Sequence, residues 1–449
     1  MGARKQVPVG HELGKCVLRS GTGWASRGLK WASANGCPRD KNELHHAAQM
    51  GHEEMVRALI EMSADINKAG NDGGTPLYLA AGHDNEAVLR ALIEAGANVH
   101  KVTEAGESPL LVATERGHEA VVRALIEADA DVSKAKNDGV TPLLMAACNG
   151  HETLVRVLIE AGADVNKATD GGETALFIAA EFAHDVVVRA LIELGADVNK
   201  AVDNGATPLF IAACNGHEAA VRALIELGAD ANKAEDSGTT PLFIAACNRH
   251  EAVVRALIKL GADVNTAEDS GTTALFIAAC NGHEAAVRAL IELGADANKA
   301  EDSGTTPLYV AAQQGHETVV RALIELGADA NEVMDDGATA LYIAAKKGHE
   351  PVLRALIELG ADVNKAKDNG VTPLFVAAGS GHETVVRVLI ELGAEINKAE
   401  DGGVWPLKIV THFGHEAVVR ALIEAGADGS GRERNEADDN GSTPFFQLA

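Results

Sequence analysis

A step of 33 residues governs this chain. Gly-His-Glu and its variants place His52, His118, His151, His184, His217, His250, His283, His316, His349, His382 and His415 in one phase, with Asn85 filling the single gap. The same phase places Arg57, Arg90, Arg123, Arg156, Arg189, Arg222, Arg255, Arg288, Arg321, Arg354, Arg387 and Arg420, so twelve units follow one another without an insertion. Periods of this length belong to architectures in which each unit packs only against its neighbours.

One unit shows the physics. In Thr207-Pro208-Leu209-Phe210-Ile211-Ala212-Ala213, the Thr207 hydroxyl is placed to cap a helix, and Pro208 sits in the first turn, where its missing N–H is harmless. That helix must stop before Gly216, which suits a left-handed turn. A second helix is predicted from about Glu218 to Leu227, with Val221, Leu224 and Ile225 on one apolar face and Gly228 as its stop. The polar stretch 229–238 should then reverse the chain in a hairpin-like loop before the next Thr240-Pro241. Helices shorter than roughly 12 to 15 residues are marginal alone, so stacking is obligatory. Aromatics are only 3% of the chain, and the Ala-Ala pairs, such as Ala212-Ala213 and Ala245-Ala246, let neighbours approach closely enough to form a core without large rings.

With these residues on the page, the sequence resembles the ankyrin-repeat family, whose 33-residue unit carries a T-P-L-H-x-A signature. The resemblance covers about residues 42 to 428. It implies an all-α solenoid of helical hairpins with short projecting β-hairpin loops, and it implies recognition of proteins along the concave face. The chain departs from the family pattern in several places. The family His is kept as His45 and becomes Tyr78, Leu111, Leu144, Phe177, Phe210, Phe243, Phe276, Tyr309, Tyr342, Phe375 and Lys408, which exchanges a polar inter-repeat bond for apolar contact. Asp84, Ala183 and Arg249 replace the turn glycine; if φ stays positive there, each costs on the order of 1 kcal/mol. Trp405 and Lys408 mark an atypical last unit.

The domain reading is a basic, disordered tail over 1–41, a solenoid over 42–428, and a linker with a partial repeat over 429–449. Thr443-Pro444-Phe445-Phe446 carries that partial repeat, and the natural protein either frays there or continues. The formal charge of −26 conceals a split, because residues 1–41 carry eight basic and two acidic residues. A body this acidic repels phosphate backbones, so nucleic acid is not the expected partner. No apolar run approaches the roughly 20 residues that cross a bilayer. The expectation is a soluble, monomeric, intracellular chain, cytoplasmic with the nucleus as the alternative.

No cofactor and no catalysis are expected. Cys16, Cys37, Cys148, Cys214, Cys247 and Cys280 show no CxxC spacing, and the last four share one repeat slot, where sulfurs about 10 Å apart are too distant for a disulfide. They read as free thiols filling small core spaces. Histidines a repeat apart cannot share one zinc, so they read as helix-junction residues. Each Arg follows an acid by four residues and usually precedes another by four, as in Glu218, Arg222 and Glu226, the spacing of intrahelical ion pairs. No phosphate loop, HExxH, GxSxG or kinase motif appears.

Two surfaces are candidates for a protein partner. Asp170, Asp203, Asp236, Asp269, Asp302, Asp335, Asp368 and Asp401 share one position on the loop tips and should form an acidic rail suited to a basic ligand. Neighbours 10 Å apart repel by only about 0.4 kcal/mol in water, so the fold tolerates the rail. The plain alternative is solubility and turn propensity, helped by Lys200, Lys233 and Lys299. The second surface is the variable pairs ending the first helices, including Cys148-Asn149, Cys214-Asn215, Asn248, Gln313-Gln314, Lys346-Lys347 and Gly379-Ser380. The Phe/Tyr column beside them either lines a groove or packs between repeats, with packing preferred. The sequence thus points to a scaffold binding a protein partner through loop tips and concave face. The alternatives are a targeting subunit whose effector domain lies outside this chain, and a spacer without a specific partner.

Overall fold

The computed structural model describes residues 42–427, so the expectations for 1–41 and 428–449 lie outside the described residues. Within that range the chain is all-α, with 24 helices in consecutive pairs. It divides into two units, Met1–Asp236 and Ser237–Ala449, and each holds six helical hairpins among its described residues.

Local chemistry sets each boundary. The first helix of the sixth hairpin runs Pro208–Cys214, and the Thr207 hydroxyl accepts the Phe210 N–H at 3.1 Å. Ten of the twelve first helices carry this cap, with Ser108 standing in for Thr in one. Trp405 offers no such side chain, and in the last first helix, Pro406–Phe413, only Pro406 and Val410 are buried. The atypical terminal unit is therefore weakened at both its cap and its core.

Gly216 turns the chain at φ 78°, and the second helix follows as Glu218–Glu226, one residue shorter than expected. Its Val221 and Leu224 are fully buried, Ala220 and Ala223 join them, and Ile225 sits half-buried at the shoulder. Ala212 and Ala213 are completely inaccessible. The largest fully buried side chains are leucines such as Leu191 and Leu209, so close approach of small residues replaces aromatic bulk.

Asp84, Ala183 and Arg249 adopt φ of 58°, 62° and 68°, so the left-handed turn is kept without the glycine. Ser63 and Asp129 do the same after second helices, where glycine is otherwise the rule.

The loops differ from the β-hairpins the resemblance implied. Among the described residues they are tight turns, with only two isolated bridges, Ala168 to Thr174 and Ala267 to Thr273. One rung closes ten of these loops, as in Val202 N–H to the Ala206 carbonyl at 3.0 Å. The tip carbonyl then turns sideways: Asn204 accepts the Asp236 N–H of the next loop at 3.0 Å. Lateral bonding between loops takes the groups that a ladder would have used.

Candidate functional site

A recognition surface on a repeat array consists of what the frame leaves over, so the frame's own polar groups come first. Nine junction histidines, from His118 to His415, reach back to the end of the preceding first helix. His217 Nε2 lies 2.8 Å from the Glu181 carbonyl, His184 Nε2 2.9 Å from Cys148, and His349 Nε2 3.0 Å from Gln313. Asn85 does the same work in the gap, donating to the Ala48 and Gln49 carbonyls at 2.8 and 2.9 Å. The histidines are thus helix-junction bolts between repeats.

The arginine column departs from expectation. Arg222 does pair with Glu218, at 2.6 Å, but Glu226 does not belong to it: Glu226 pairs with Arg189 of the preceding repeat at 3.1 Å. The same pattern runs from Arg57 to Glu94 in the first unit and from Arg255 to Glu292 in the second. The second acid sits one turn further along its helix, level with the neighbour's guanidinium, so the column is an inter-repeat ladder on the outer face.

A third column escaped the sequence reading. Asn166 Oδ1 accepts the Asp197 N–H at 2.8 Å, Asn199 accepts from Asp230 at 2.9 Å, and Asn265 accepts from Asp296 at 2.9 Å. Its signal was present, since Asn recurs there every 33 residues. His100 and Ser133 interrupt it, and a groove of about 230 Å³ opens where His100, Leu110, Ala130, Asp131 and Lys134 meet. That is smaller than the roughly 300 to 1,000 Å³ of small-molecule pockets.

The rail residues are all exposed, and none of the eight makes an ion pair among the described residues. Two of the three lysines expected to soften it face elsewhere: Lys233 Nζ donates to the Asn199 carbonyl at 3.0 Å, and Lys299 Nζ to the Asn265 carbonyl at 2.6 Å. The rail also has a structural side. Asp236 Oδ1 lies 2.5 Å from where a Cβ on Gly205 would stand, so the carboxylate occupies the space above the preceding loop's glycine. Asp203 packs likewise over Gly172, Asp269 over Gly238, Asp302 over Gly271, Asp335 over Gly304 and Asp368 over Gly337. One real neutralised pair occurs beside the rail, Lys367 with Asp336, where the hydrogen bond from Lys367 holds the carboxyl below the ordinary range.

Asn215, Asn248, Gln314, Lys346 and Lys347 are exposed at the ends of first helices, with Gln313 half-buried beside them. They are separated from the rail by the length of a helix. The structure therefore does not gather the candidates into one patch; within each unit it sets them at opposite ends of the first helices. Phe177 and Phe276 are buried, while Phe210, Phe243, Tyr309 and Phe375 are half-buried, so the column mainly packs. The polar bond is not lost everywhere, because the Tyr78 hydroxyl donates to Glu107 Oε2 at 2.7 Å. Cys148, Cys214, Cys247 and Cys280 form no disulfide and are half-buried rather than in the core, and burial pushes the Cys148 and Cys280 thiols up.

No helix among the described residues is long and apolar enough to cross a membrane. A family model described as ankyrin repeats (3 copies) matches residues 25–103, 95–169, 176–268, 260–334 and 326–400. The crystal structure of the human ASB11 ankyrin repeat domain is similar at 31% sequence identity, with 50% of this chain and 99% of that chain covered and a TM-score of 0.45. A comparison with curated proteins gave no match.

Proposed function

Since the chain belongs to the ankyrin-repeat family, whose repeats are generally protein-interaction modules, we propose that it is a non-catalytic scaffold that binds a protein partner with a basic surface. One observation carries this reading. Thr caps, junction histidines, ladder arginines and loop asparagines are all engaged inside the frame, whereas the carboxylates Asp203, Asp236, Asp269, Asp302, Asp335 and Asp368 remain exposed and unpaired. Exposed like charges repeated along the loop tips within each unit suit a multivalent ligand of opposite sign, and they raise the association rate more than they add affinity. The ends of the first helices, with Asn215, Asn248, Gln313, Gln314, Lys346 and Lys347, vary from repeat to repeat and supply discrimination.

The test begins with proximity labelling by the full chain in its source cell and continues with the purified partner. Lysine at Asp203 and Asp236, and separately at Asp302, Asp335 and Asp368, should weaken a salt-sensitive complex at least tenfold in one set while leaving helicity unchanged. Affinity unchanged from that of the natural chain in both sets would overturn the rail as the contact.

A further inference from the structure

The repeats supply an internal standard against which any one of them can be read. The turn between the two helices of a repeat reads Asn-Gly-His-Glu-Thr over 149–153 and Asn-Gly-His-Glu-Ala over 215–219 and 281–285. In the fifth repeat it reads Phe182-Ala183-His184-Asp185-Val186. The only residue retained is His184, the one with a part in the frame, whose Nε2 lies 2.9 Å from the Cys148 carbonyl.

Every one of the four changes is unfavourable to the fold or neutral for it. Phe182 and Val186 are 51% and 53% exposed, where the neighbouring repeats present Asn and Ala or Thr. Ala183 holds φ at 62°, where glycine would sit without strain. Asp185 is one methylene shorter than the Glu at this place in every other repeat. Ten other arginines pair with the acid four residues before them; Arg189 pairs only with Glu226, which leaves the Asp185 carboxylate without an ion pair. The Glu181 carboxylate makes no ion pair either, although its backbone carbonyl accepts from His217 and Asn215. Backbone strain accepted together with exposed apolar surface, and with no internal gain, is the mark of a contact made with something else.

We propose that this turn is a docking site for a protein segment carrying an apolar side chain beside a Lys or Arg. The apolar side chain covers Phe182 and Val186, and the cation meets Glu181 and Asp185. An arginine also stacks favourably on the exposed ring. The charge of the site selects the partner: two free carboxylates flank the apolar surface, and an acidic segment would be repelled. The inference rests on the scaffold reading, but it places a contact at the far end of the hairpin from the loop tips.

The test uses a displayed library of random twelve-residue peptides, panned in parallel on the full chain and on the variant Phe182→Asn, Ala183→Gly, Asp185→Glu, Val186→Ala. That variant restores the sequence of its neighbours, so it should fold at least as well. Peptides enriched on the natural chain should combine an aliphatic or aromatic residue with Lys or Arg, and should bind the reverted chain at least tenfold more weakly. Glu181→Gln with Asp185→Asn should remove the preference for Lys and Arg while the apolar preference stays. Indistinguishable enrichment on the two chains, or enriched peptides that are acidic or wholly polar, would sink the site. Peptides that bind both chains equally and are lost on charge reversal at Asp203 and Asp236 would sink it while leaving the scaffold reading intact.

Discussion

Arg288 donates through Nη2 to Glu325 at 3.1 Å, across 37 residues of sequence and from one repeat to the next, while its Nε holds Glu284 at 2.9 Å. Both carboxylates and the guanidinium are partly exposed, the range in which an ion pair contributes roughly 0.2 to 1 kcal/mol. Arg288→Ala should therefore destabilise the second unit by about 1 kcal/mol. A double-mutant cycle with Glu325→Gln in urea denaturation should return a coupling of a few tenths of a kcal/mol that shrinks in 1 M salt, as screening requires (Debye length about 3 Å).

The junction hydrogen bond has a built-in control. His217→Ala removes the donor to the Glu181 carbonyl and should cost about 1 kcal/mol. His217→Asn should recover much of that loss, because Asn85 already makes the equivalent bonds at the second junction. Chemical denaturation of the three proteins decides it, and equal losses for Ala and Asn would refute the hydrogen bond as the cause.

Positive φ should cut both ways. Arg249→Gly and Ala183→Gly should each stabilise by about 1 kcal/mol, since they relieve a left-handed turn held by a residue with a Cβ. Asp84→Gly should gain less, because Asp84 Oδ1 lies 3.7 Å from His118 Nδ1 and that contact would go. Gly205→Ala should lose about 1 to 2 kcal/mol, as its φ is 83° and its Cβ would meet Asp236. Thermal denaturation of the four variants checks the order.

His45 should make the first repeat acid-sensitive. The ring is buried, its Nε2 bonds the Lys68 carbonyl at 2.9 Å, and burial holds the imidazole below its ordinary value of 6.5. The unfolded chain therefore takes up this proton first as pH falls through 6.5. The stabilising contribution is complete above that pH and declines below it, until the folded imidazole also protonates. Hydrogen exchange of Glu43–Glu61, corrected for the intrinsic rate, should show protection falling between about pH 7 and pH 5. His45→Phe should flatten the profile, and an unchanged profile in that variant would remove His45 as the origin.

Much of the fold was legible because the physics is local. Thr207, Pro208, Gly216 and Gly228 punctuate helices through their own backbone preferences, and a 33-residue period repeats that grammar twelve times. What escaped was the direction of long side chains. Glu226 stands four residues from Arg222 in sequence, yet its carboxylate lies nearer Arg189, and no spacing rule within a single helix contains the neighbouring helix. The lateral turn of the Asn204 carbonyl toward Asp236 was hidden for the same reason, and turns stand where the family resemblance implied β-hairpins. The candidate partner surface was legible only as exposure and charge. Its division between loop tips and helix ends emerged once the hairpins had a geometry, and the Phe182 turn stood out only after each place in the repeat had a known task.

The bonds between repeats span recurring intervals, among them 29, 31, 34, 36 and 37 residues. Cutting one whole period out of either unit, or pasting one in, returns most such donors to an acceptor of the same kind, whereas an insertion of one or two residues strands those that span it. Recombination between homologous stretches can thus lengthen or shorten the array in intact cassettes, so the number of repeats can drift between generations far more freely than the spelling of any one of them.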